Sequence, residues 1–532
     1  MDSTNLGYSY HLPNGGLMLK VRNALSQFSD LFSEFNKYIA PAYHHDRCER
    51  SVQMRLYSMH KREFVMVFLC FYICFGLGVF IGLAGPPITV TSSFKGTSIL
   101  KEQNTSIGDI WHGPFKIKSP TMSTYHQQLW VLAQIRTDNK DDDILDRAFH
   151  VSVAISALTS DHKEVRILRA DQAHNRTHHL RCDSQICNPV TILHLGFLDY
   201  THYILDVNFN GLENFHKHYT VKQVTFFFKS YNPGFTQIEI WFRFIFLLST
   251  FIITCWFAHT LRKFPIFDWS IEQKWMSCML PLLLLYNNPI FPLTFLVNSW
   301  IPSMLDAVFQ ATFLCGLLLF WICIYHGLRQ TERRILTFYI PKLLIVGPLW
   351  LTAVIMATWQ KANELQDPTY SYKIDTSNFY NFKIIFFVFI SMYIIYLLCL
   401  ILRAYSELRS MPFFDMRLKF LTLLMLIVIT ISITITVMRF GIGVLEDNFV
   451  SELSTTYNSS AQFMSFYGLL NFYMYTMAYV YSPSKKTVFD TSITKDNPAF
   501  SMINDSDEDV IYGSDEESRQ PLNRSHNEDD SD

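Results

Sequence analysis

The stretch from Phe64 to Ala84 constrains the fold of this chain more than any other feature. It contains no charged side chain, and it has the length of about 20 apolar residues that a helix needs to cross the hydrocarbon core of a bilayer. A cleavable signal peptide would begin close to the N-terminus, whereas this stretch begins at residue 64. We therefore interpret it as a retained signal-anchor helix.

A second group of apolar stretches predicts a helical bundle. The stretches follow one another closely, at about 240–260, 275–298, 304–326, 337–359, 382–402, 418–438 and 461–482. Only 17% of the residues are charged, whereas a soluble domain carries about 25%. We therefore expect an α-helical membrane protein, with one anchor helix (64–84) and a seven-helix bundle (240–482).

The Lys and Arg residues of the short loops predict the orientation, because cytosolic loops are enriched in them. A cytosolic N-terminus places loops 260–274, 326–342 and 403–419 inside. These loops hold Arg262, Lys263, Lys274, Arg329, Arg333, Arg334, Lys342, Arg403, Arg409, Arg417 and Lys419. The opposite loops hold only Lys361, Lys373, Lys383 and Arg439. We expect both termini in the cytosol, with the chain in the plasma membrane or in secretory and endosomal membranes.

The long segment 87–236 between the first two spans would then face the lumen or the cell exterior. It contains short β-branched or aromatic runs at 128–135, 149–156, 164–168, 191–195, 203–207 and 223–228. Runs of this kind, spaced by 10–20 residues, favour an antiparallel β-sandwich. The segment also holds Asn104-Thr-Ser and Asn175-Arg-Thr, two acceptor triplets for N-glycosylation.

Cys182 and Cys187 are the two cysteines that lie close together in a polar segment. In an oxidising compartment they could form a disulfide. Alternatively, Cys182 could join nearby His174, His178 and His179 in a metal site, although a second paired-ligand cluster is absent. The sequence favours the disulfide, and we expect no metal or other cofactor.

Few ionisable side chains lie within the predicted spans, and such residues, with the polar groups beside them, are candidates for function. Asp306 and Gln310 lie one turn apart on one helix, and Asn287 and Asn288 accompany Pro289 in its neighbour. Together they could line a ligand cavity, or they could mark only a kink and an interfacial carboxylate. Catalytic signatures such as His-Glu-x-x-His and Gly-x-Ser-x-Gly are missing, so we expect no enzyme. The net charge of −2 does not indicate binding to nucleic acid.

The predicted cytosolic ends are residues 1–63 and the acidic tail 483–532, which lacks the apolar residues of a core and is expected to be disordered. Within the tail, Asn497, Pro498 and Phe500 form an NPxF-type turn that endocytic adaptors could read. Ser506 and Ser514 each precede a run of acidic residues, the pattern that acidophilic kinases recognise.

Several longer strings carry a resemblance to a known family. They are YNPGF (231–235), EIWFR (239–243), IEQKW (271–275), LPLLLLYNNP (280–289), FLVNSW (295–300), FYGLLNFY (466–473), DNPAF (496–500) and DSDEDVIYGS (505–514). With these strings the chain resembles the Wntless-like membrane proteins from about residue 54 to 517. The resemblance implies a lumenal GOLD-like β-sandwich followed by a seven-helix bundle. It also implies service as a host factor for cytolethal distending toxin, and it supplies no catalytic residues.

Three functions agree with these features. The first is a trafficking or cargo receptor that binds a secreted protein or a lipid through the lumenal domain and the bundle. The second is a signalling receptor coupled to G proteins, although the third bundle helix ends in Tyr325-His-Gly327 and carries no Asp/Glu-Arg-Tyr triplet. The third is a transporter or membrane enzyme built around Asp306 and Gln310.

Overall fold

A computed structural model describes ten segments of the chain. They are residues 52–103, 110–139, 145–159, 163–167, 175–182, 184–328, 334–369, 380–408, 412–440 and 459–484. The predicted N-terminal segment therefore lies mostly outside the described residues, as does nearly all of the predicted tail. Asn104, Asn497, Pro498, Phe500, Ser506 and Ser514 also lie outside them.

Two antiparallel sheets form the domain that follows the first long helix. The strands are β1 (Thr89–Lys95), β2 (Phe115–Lys118), β3 (Leu129–Thr137), β4 (Leu145–Leu158), β5 (Glu164–Arg166), β6 (Asn175–Cys182), β7 (Val190–Leu195), β8 (His202–Asn210) and β9 (Val221–Tyr231). One sheet has the order β1-β9-β3-β7. The other has the order β2-β8-β4-β5, and β6 also pairs with β4.

The two sheets enclose a core of aromatic and β-branched side chains. Along β3 and β8, residues alternate between buried and half-buried positions, as expected where only one face of a strand meets the core. Phe209 of β8 stacks on Phe226 of β9 with ring centroids 6.2 Å apart, so this contact joins the sheets. The predicted β-sandwich is confirmed. Six of its strands were predicted, whereas β1, β2 and β6 are too polar or too short to give a clear signal.

The helices are numbered in chain order. They are α1 (Arg55–Ser58), α2 (Lys61–Ala84), α3 (Gly96–Glu102), α4 (Glu213–His218), α5 (Pro233–Leu261), α6 (Ile271–Tyr286), α7 (Leu293–Leu296), α8 (Trp300–Gly327), α9 (Ile340–Gln366), α10 (Tyr380–Leu408), α11 (Pro412–Phe440) and α12 (Ser460–Tyr481). Of these described helices, α2, α5, α8, α9, α10 and α11 contain stretches long and apolar enough to cross a membrane. The expected helical membrane protein with a β-sandwich is confirmed.

The predicted span 275–298 is interrupted at the Asn and Pro residues that the sequence marks as a kink or a cavity lining. Helix α6 ends at Tyr286, and a turn through Asn287–Pro292 leads into the short helix α7. Asn288 has a positive φ of 49°, which ends a right-handed helix, and the prolines at 289 and 292 cannot donate the backbone hydrogen bonds that would continue it. Helix α12 covers the last predicted span, but it contains five tyrosines and is not among the described helices that are apolar enough to cross a membrane by composition.

Helix α2 packs against α12 and so belongs to the bundle. The closest approach is at Gly82, where a Cβ atom would lie 2.6 Å from the Cα of Ala461. At the other end, the backbone N–H of Arg55 donates to Ser482 O at 2.8 Å, and that of Ser484 donates to Gln53 O at 2.9 Å. The segment before α2 therefore pairs with the segment after α12, on the side of the bundle opposite the sandwich.

Candidate functional site

A buried ion cluster lies where the sandwich meets the bundle. Arg243 of α5 donates from Nη1 to Asp306 Oδ1 of α8 at 2.9 Å. Its Nε and Nη2 donate to Glu239 Oε1 at 3.2 and 3.0 Å. The side chains of Arg243, Glu239 and Asp306 are only 8%, 9% and 15% exposed. One guanidinium therefore holds two carboxylates in the interior.

Helical spacing and the turn after α6 explain how this cluster forms. Glu239 and Arg243 are four residues apart on α5, as are Asp306 and Gln310 on α8, so each pair lies on one face of its helix. Gln310 Nε2 donates to Asp306 Oδ2 at 3.0 Å, and Asn288 Nδ2 donates to Asp306 Oδ1 at 2.8 Å. The positive φ of Asn288 thus turns its side chain towards α8.

Aromatic rings cover the guanidinium. Its Cζ atom lies 4.1 Å from the ring centroid of Phe291, and the rings of Phe463 and Tyr467 on α12 lie at 5.9 and 5.6 Å. A cation over a ring face is attracted by the quadrupole of the ring. The cluster is therefore shielded by α12 and by the turn that follows α6.

The sandwich reaches this cluster through one loop. A 3₁₀ turn (Thr124–His126) ends at Gln127, which has a positive φ of 55°. Gln127 Nε2 lies 3.1 Å from Glu239 Oε2 and 3.0 Å from Thr236 Oγ1. The ring of Tyr125 stacks on Phe295 beyond the broken helix, with centroids 6.4 Å apart. The same loop thus contacts α5 and the segment after α6.

A second polar cluster joins α5, α6 and α12 deeper in the bundle. Asn287 Nδ2 donates to Thr250 Oγ1 at 2.8 Å and to Asn471 Oδ1 at 2.9 Å. Asn471 Nδ2 donates to Tyr467 O at 2.9 Å, and Tyr475 OH lies 2.7 Å from Thr250 Oγ1. Because Asn287, Asn471 and Thr250 are buried, this network satisfies polar side chains that would be costly to leave unpaired within the bundle.

A cavity of about 320 Å³ lies beside the ion cluster. Its α5 wall includes Ile240, Trp241, Phe244 and Leu247, and its opposite wall is the turn with Asn288, Pro289 and Phe291. Trp241 and Phe244 are exposed, so the cavity opens at the flank of the bundle. Its wall on α5 begins about 10 Å along the helix from Pro233. It is apolar except where Arg243, Asn287 and Asn288 reach it.

The structure brings together three of the four candidate cavity residues, because Asn288 and Gln310 both bind Asp306. Asn287 faces the other way, towards Asn471. Within the described residues, only Asn287 and Asn288 of the four line the cavity. The sequence reading did not select Glu239 and Arg243. Their signal is a pair of opposite charges four residues apart, with Arg243 inside the predicted span 240–260 and Glu239 directly before it.

Cys182 and Cys187 form a disulfide in the sandwich. The Cys182 sulfur is thus unavailable to a metal, which removes the alternative with His174, His178 and His179. Position 174 lies outside the described residues, while His178 is buried and His179 exposed on adjacent positions of β6. Burial, followed by the nearby Arg176 and His179, lowers the pKa of His178 to about 4. The glycosylation candidate Asn175 begins β6.

Comparisons with known proteins agree with this architecture. Residues 232–485 match the family described as Wntless-like, transmembrane domain. Residues 113–231 match the family described as TMEM181, GOLD domain. The chain is also 51% identical over 469 residues to the human protein Transmembrane protein 181, a match that covers 87% of this chain and 94% of that protein. The chain therefore belongs to the transmembrane protein 181 family and joins a GOLD domain to a Wntless-like transmembrane domain.

Proposed function

We propose that this protein is a trafficking or cargo receptor that binds a secreted protein or a lipid through its GOLD domain and its bundle. The observation that carries the proposal is the apolar cavity of about 320 Å³ beside Arg243 and Asn288. A concave apolar site with a few polar groups is the usual form of a ligand site. Gln127 connects this site to the GOLD domain through Glu239, so a ligand could engage both parts.

The proposed orientation places the GOLD domain in the lumen or outside the cell, with both termini in the cytosol. It rests on the Lys and Arg of the loops. In this orientation Asn104 and Asn175 are available for glycosylation. A glycosidase should reduce the apparent mass of the wild-type protein but not that of an Asn104→Gln, Asn175→Gln variant. Resistance of the wild-type protein to the enzyme would contradict the orientation.

Site-specific photo-crosslinking tests the cavity. A photoreactive residue at Phe244 faces the cavity, whereas one at Ile252 is on the same helix, is similarly exposed and lies outside the cavity lining. In cells, both positions should capture bulk phospholipid. Only position 244 should also capture a specific secreted protein or lipid, and filling the cavity with Pro289→Trp should abolish that adduct. Identical adducts at both positions would argue against the cavity as a ligand site.

We propose that the tail sorts the receptor. Asn497, Pro498 and Phe500 would bind an endocytic adaptor, and phosphorylation of Ser506 and Ser514 would add to the negative charge of the tail. Phe500→Ala should raise the amount of protein at the cell surface, with Phe489→Ala as a control in the same tail. An unchanged rate of endocytosis would contradict this role.

At the cell surface, the receptor would also serve as a host factor for cytolethal distending toxin, as the resemblance to its family implies. Cells that lack the protein should bind less toxin and resist it, and re-expression should restore both properties. Equal toxin binding with and without the protein would remove this role from the proposal.

Signalling through G proteins is the alternative, because seven helices from α5 onwards follow the GOLD domain, apart from the short α7. The segment with Met54 and Leu56 argues against it, because these residues are buried between those helices on the side opposite the GOLD domain. In the proposed orientation this is the cytosolic side, where a G protein would have to bind. Nucleotide-exchange assays with the full chain and each class of G protein decide between the two. Exchange stimulated by the protein would favour signalling over cargo transport.

A further inference from the structure

The buried ion cluster has an unequal number of charges. Glu239 and Asp306 both pair with Arg243, and among the described residues no second Lys, Arg or His forms an ion pair with either carboxylate. If both carboxylates were ionised, the cluster would carry one net negative charge. An isolated charge in a medium of low dielectric constant is costly, and a buried carboxyl group commonly avoids this cost by binding a proton.

The other groups around the cluster cannot supply the missing positive charge. Gln127 approaches from the GOLD domain, Asn288 from the turn after α6 and Gln310 from α8. The rings of Phe291, Phe463 and Tyr467 cover Arg243. All of these side chains are neutral at physiological pH, so none of the described neighbours balances the charge of the second carboxylate.

Burial distinguishes the two carboxyl groups, because the side chain of Glu239 is 9% exposed and that of Asp306 is 15% exposed. Asp306 Oδ1 accepts from the guanidinium of Arg243 and from Asn288 Nδ2. The amide of Asn288 cannot be rotated, because its Oδ1 accepts from the backbone N–H of Ile290 at 3.1 Å. Two donors of fixed orientation therefore point at one oxygen of Asp306 and occupy both of its lone pairs.

One neighbour of Glu239 can accept a hydrogen bond from a protonated Glu239 side chain. Within the described residues, the Oε2 atom of Glu239 is hydrogen-bonded only to the side-chain amide of Gln127, at 3.1 Å. Rotating that amide by 180° exchanges its nitrogen and oxygen without moving other atoms. Gln127 can then accept a hydrogen bond from protonated Glu239, and the hydroxyl of Thr236, at 3.0 Å, can donate to the same oxygen.

We propose that Glu239 holds a proton on Oε2 at neutral pH and donates it to Gln127, while Asp306 alone remains ionised and balances Arg243. The proton comes from water, and no bond between heavy atoms forms or breaks. Glu239 is thus a proton-binding site at the contact between the GOLD domain and the bundle. The proposal goes beyond the receptor function and needs no ligand for its test.

Infrared spectroscopy of the full chain in a detergent without ester or carboxyl groups tests the proposal, because no carbonyl band of the detergent then overlaps that of a carboxylic acid. The wild-type protein should show the carbonyl band of a protonated carboxylic acid at neutral pH. Glu239→Gln should lose this band, and Glu364→Gln should keep it, because Glu364 is also buried but pairs with Lys361. The absence of the band in the wild-type protein, or its persistence in Glu239→Gln, would overturn the proposal.

Thermal unfolding identifies which carboxyl group carries the proton. Glu239→Gln resembles the protonated side chain, so it should unfold within a degree or two of the wild-type protein, whereas Asp306→Asn should unfold several degrees lower. The reverse order would assign the proton to Asp306 and refute the proposal. A wild-type midpoint that depends on sodium, when choline chloride replaces sodium chloride, would also refute it by indicating a bound cation.

The pH dependence follows from proton linkage. If the folded protein binds this proton more tightly than the unfolded chain, stability is lost as the pH rises through the titration of the folded state. The unfolding midpoint of the wild-type protein should therefore decline as the pH is raised above neutral, and Glu239→Gln should lack this part of the decline. Identical declines in the two proteins would contradict the assignment.

Discussion

Arg243 and Asp306, 63 positions apart, are joined by a hydrogen bond of 2.9 Å that links α5 to α8. The pair is buried, and it also fixes Asn288 and Gln310 through Asp306. The bond therefore ties the broken helix to its two neighbours at the point where the GOLD domain rests on the bundle.

Replacing Arg243 by Met should destabilise the protein strongly, because Asp306 would stay buried without its cation. Breaking a buried ion pair in this way costs about 3–5 kcal/mol, which should appear as a large drop in the thermal unfolding midpoint. Lys222→Met is the control, since Lys222 and Asp138 form an ion pair at the surface. Its loss should cost less than about 1 kcal/mol. Equal effects of the two substitutions would show that the cluster is not energetically important.

A second prediction concerns the packing of α2 on α12. A Cβ atom on Gly82 would lie 2.6 Å from the Cα of Ala461, whereas one on Gly76 of the same helix would meet nothing within 4 Å. Gly82→Ala should push the two helices apart and cost about 1–3 kcal/mol. Gly76→Ala should be neutral or slightly stabilising, because alanine favours the helix. Unfolding midpoints of the two variants that differed by less than the measurement error would contradict this packing.

The features that the sequence predicts well are those encoded locally. Apolar length predicts α2 and α5, runs of β-branched and aromatic residues predict β3 and β8, and the prolines near Asn287 predict a disturbed helix. The four-residue spacing of Asp306 and Gln310 predicts that they share a face, and they bind each other.

The features that the sequence does not predict depend on contacts between distant segments. Nothing local indicates that Gln127 reaches Glu239, 112 positions away, or that Asn287 binds Asn471, 184 positions away. The apolar length of the stretch around Arg243 predicts a span but does not by itself select the charged residues Glu239 and Arg243. Charged residues inside a span need a partner, and that rule alone would have selected Glu239 and Arg243.

The turn after α6 offers a third prediction. Asn288 combines a positive φ of 49° with a hydrogen bond to Asp306. Asn288→Gly keeps the turn but loses the hydrogen bond, whereas Asn288→Ala loses the bond and also strains the backbone, because a side chain with Cβ disfavours positive φ. The alanine variant should therefore be less stable than the glycine variant by about 1 kcal/mol. A more stable alanine variant in thermal unfolding would contradict the turn geometry.

The GOLD domain should lose stability in acid because of His178. Burial is the main cause that lowers the pKa of this side chain from 6.5 to about 4. Below pH 6.5, His178 therefore binds a proton in the unfolded chain but not in the folded domain. The stability of the folded domain falls until the pH reaches about 4. The loss from this residue amounts to at most about 3 kcal/mol.

Hydrogen exchange of the full chain measures this effect through the peptides of β4 and β6, corrected for the intrinsic pH dependence of exchange. Protection in the wild-type protein should fall between pH 6.5 and pH 4, the interval between the two pKa values of His178. His178→Leu should flatten that fall, because leucine does not titrate. His179→Leu is the matched control: His179 is the next residue of β6 and its side chain is 71% exposed, so the fall should remain. A fall that is the same in His178→Leu and in the wild-type protein would show that other groups control the acid sensitivity of the sandwich.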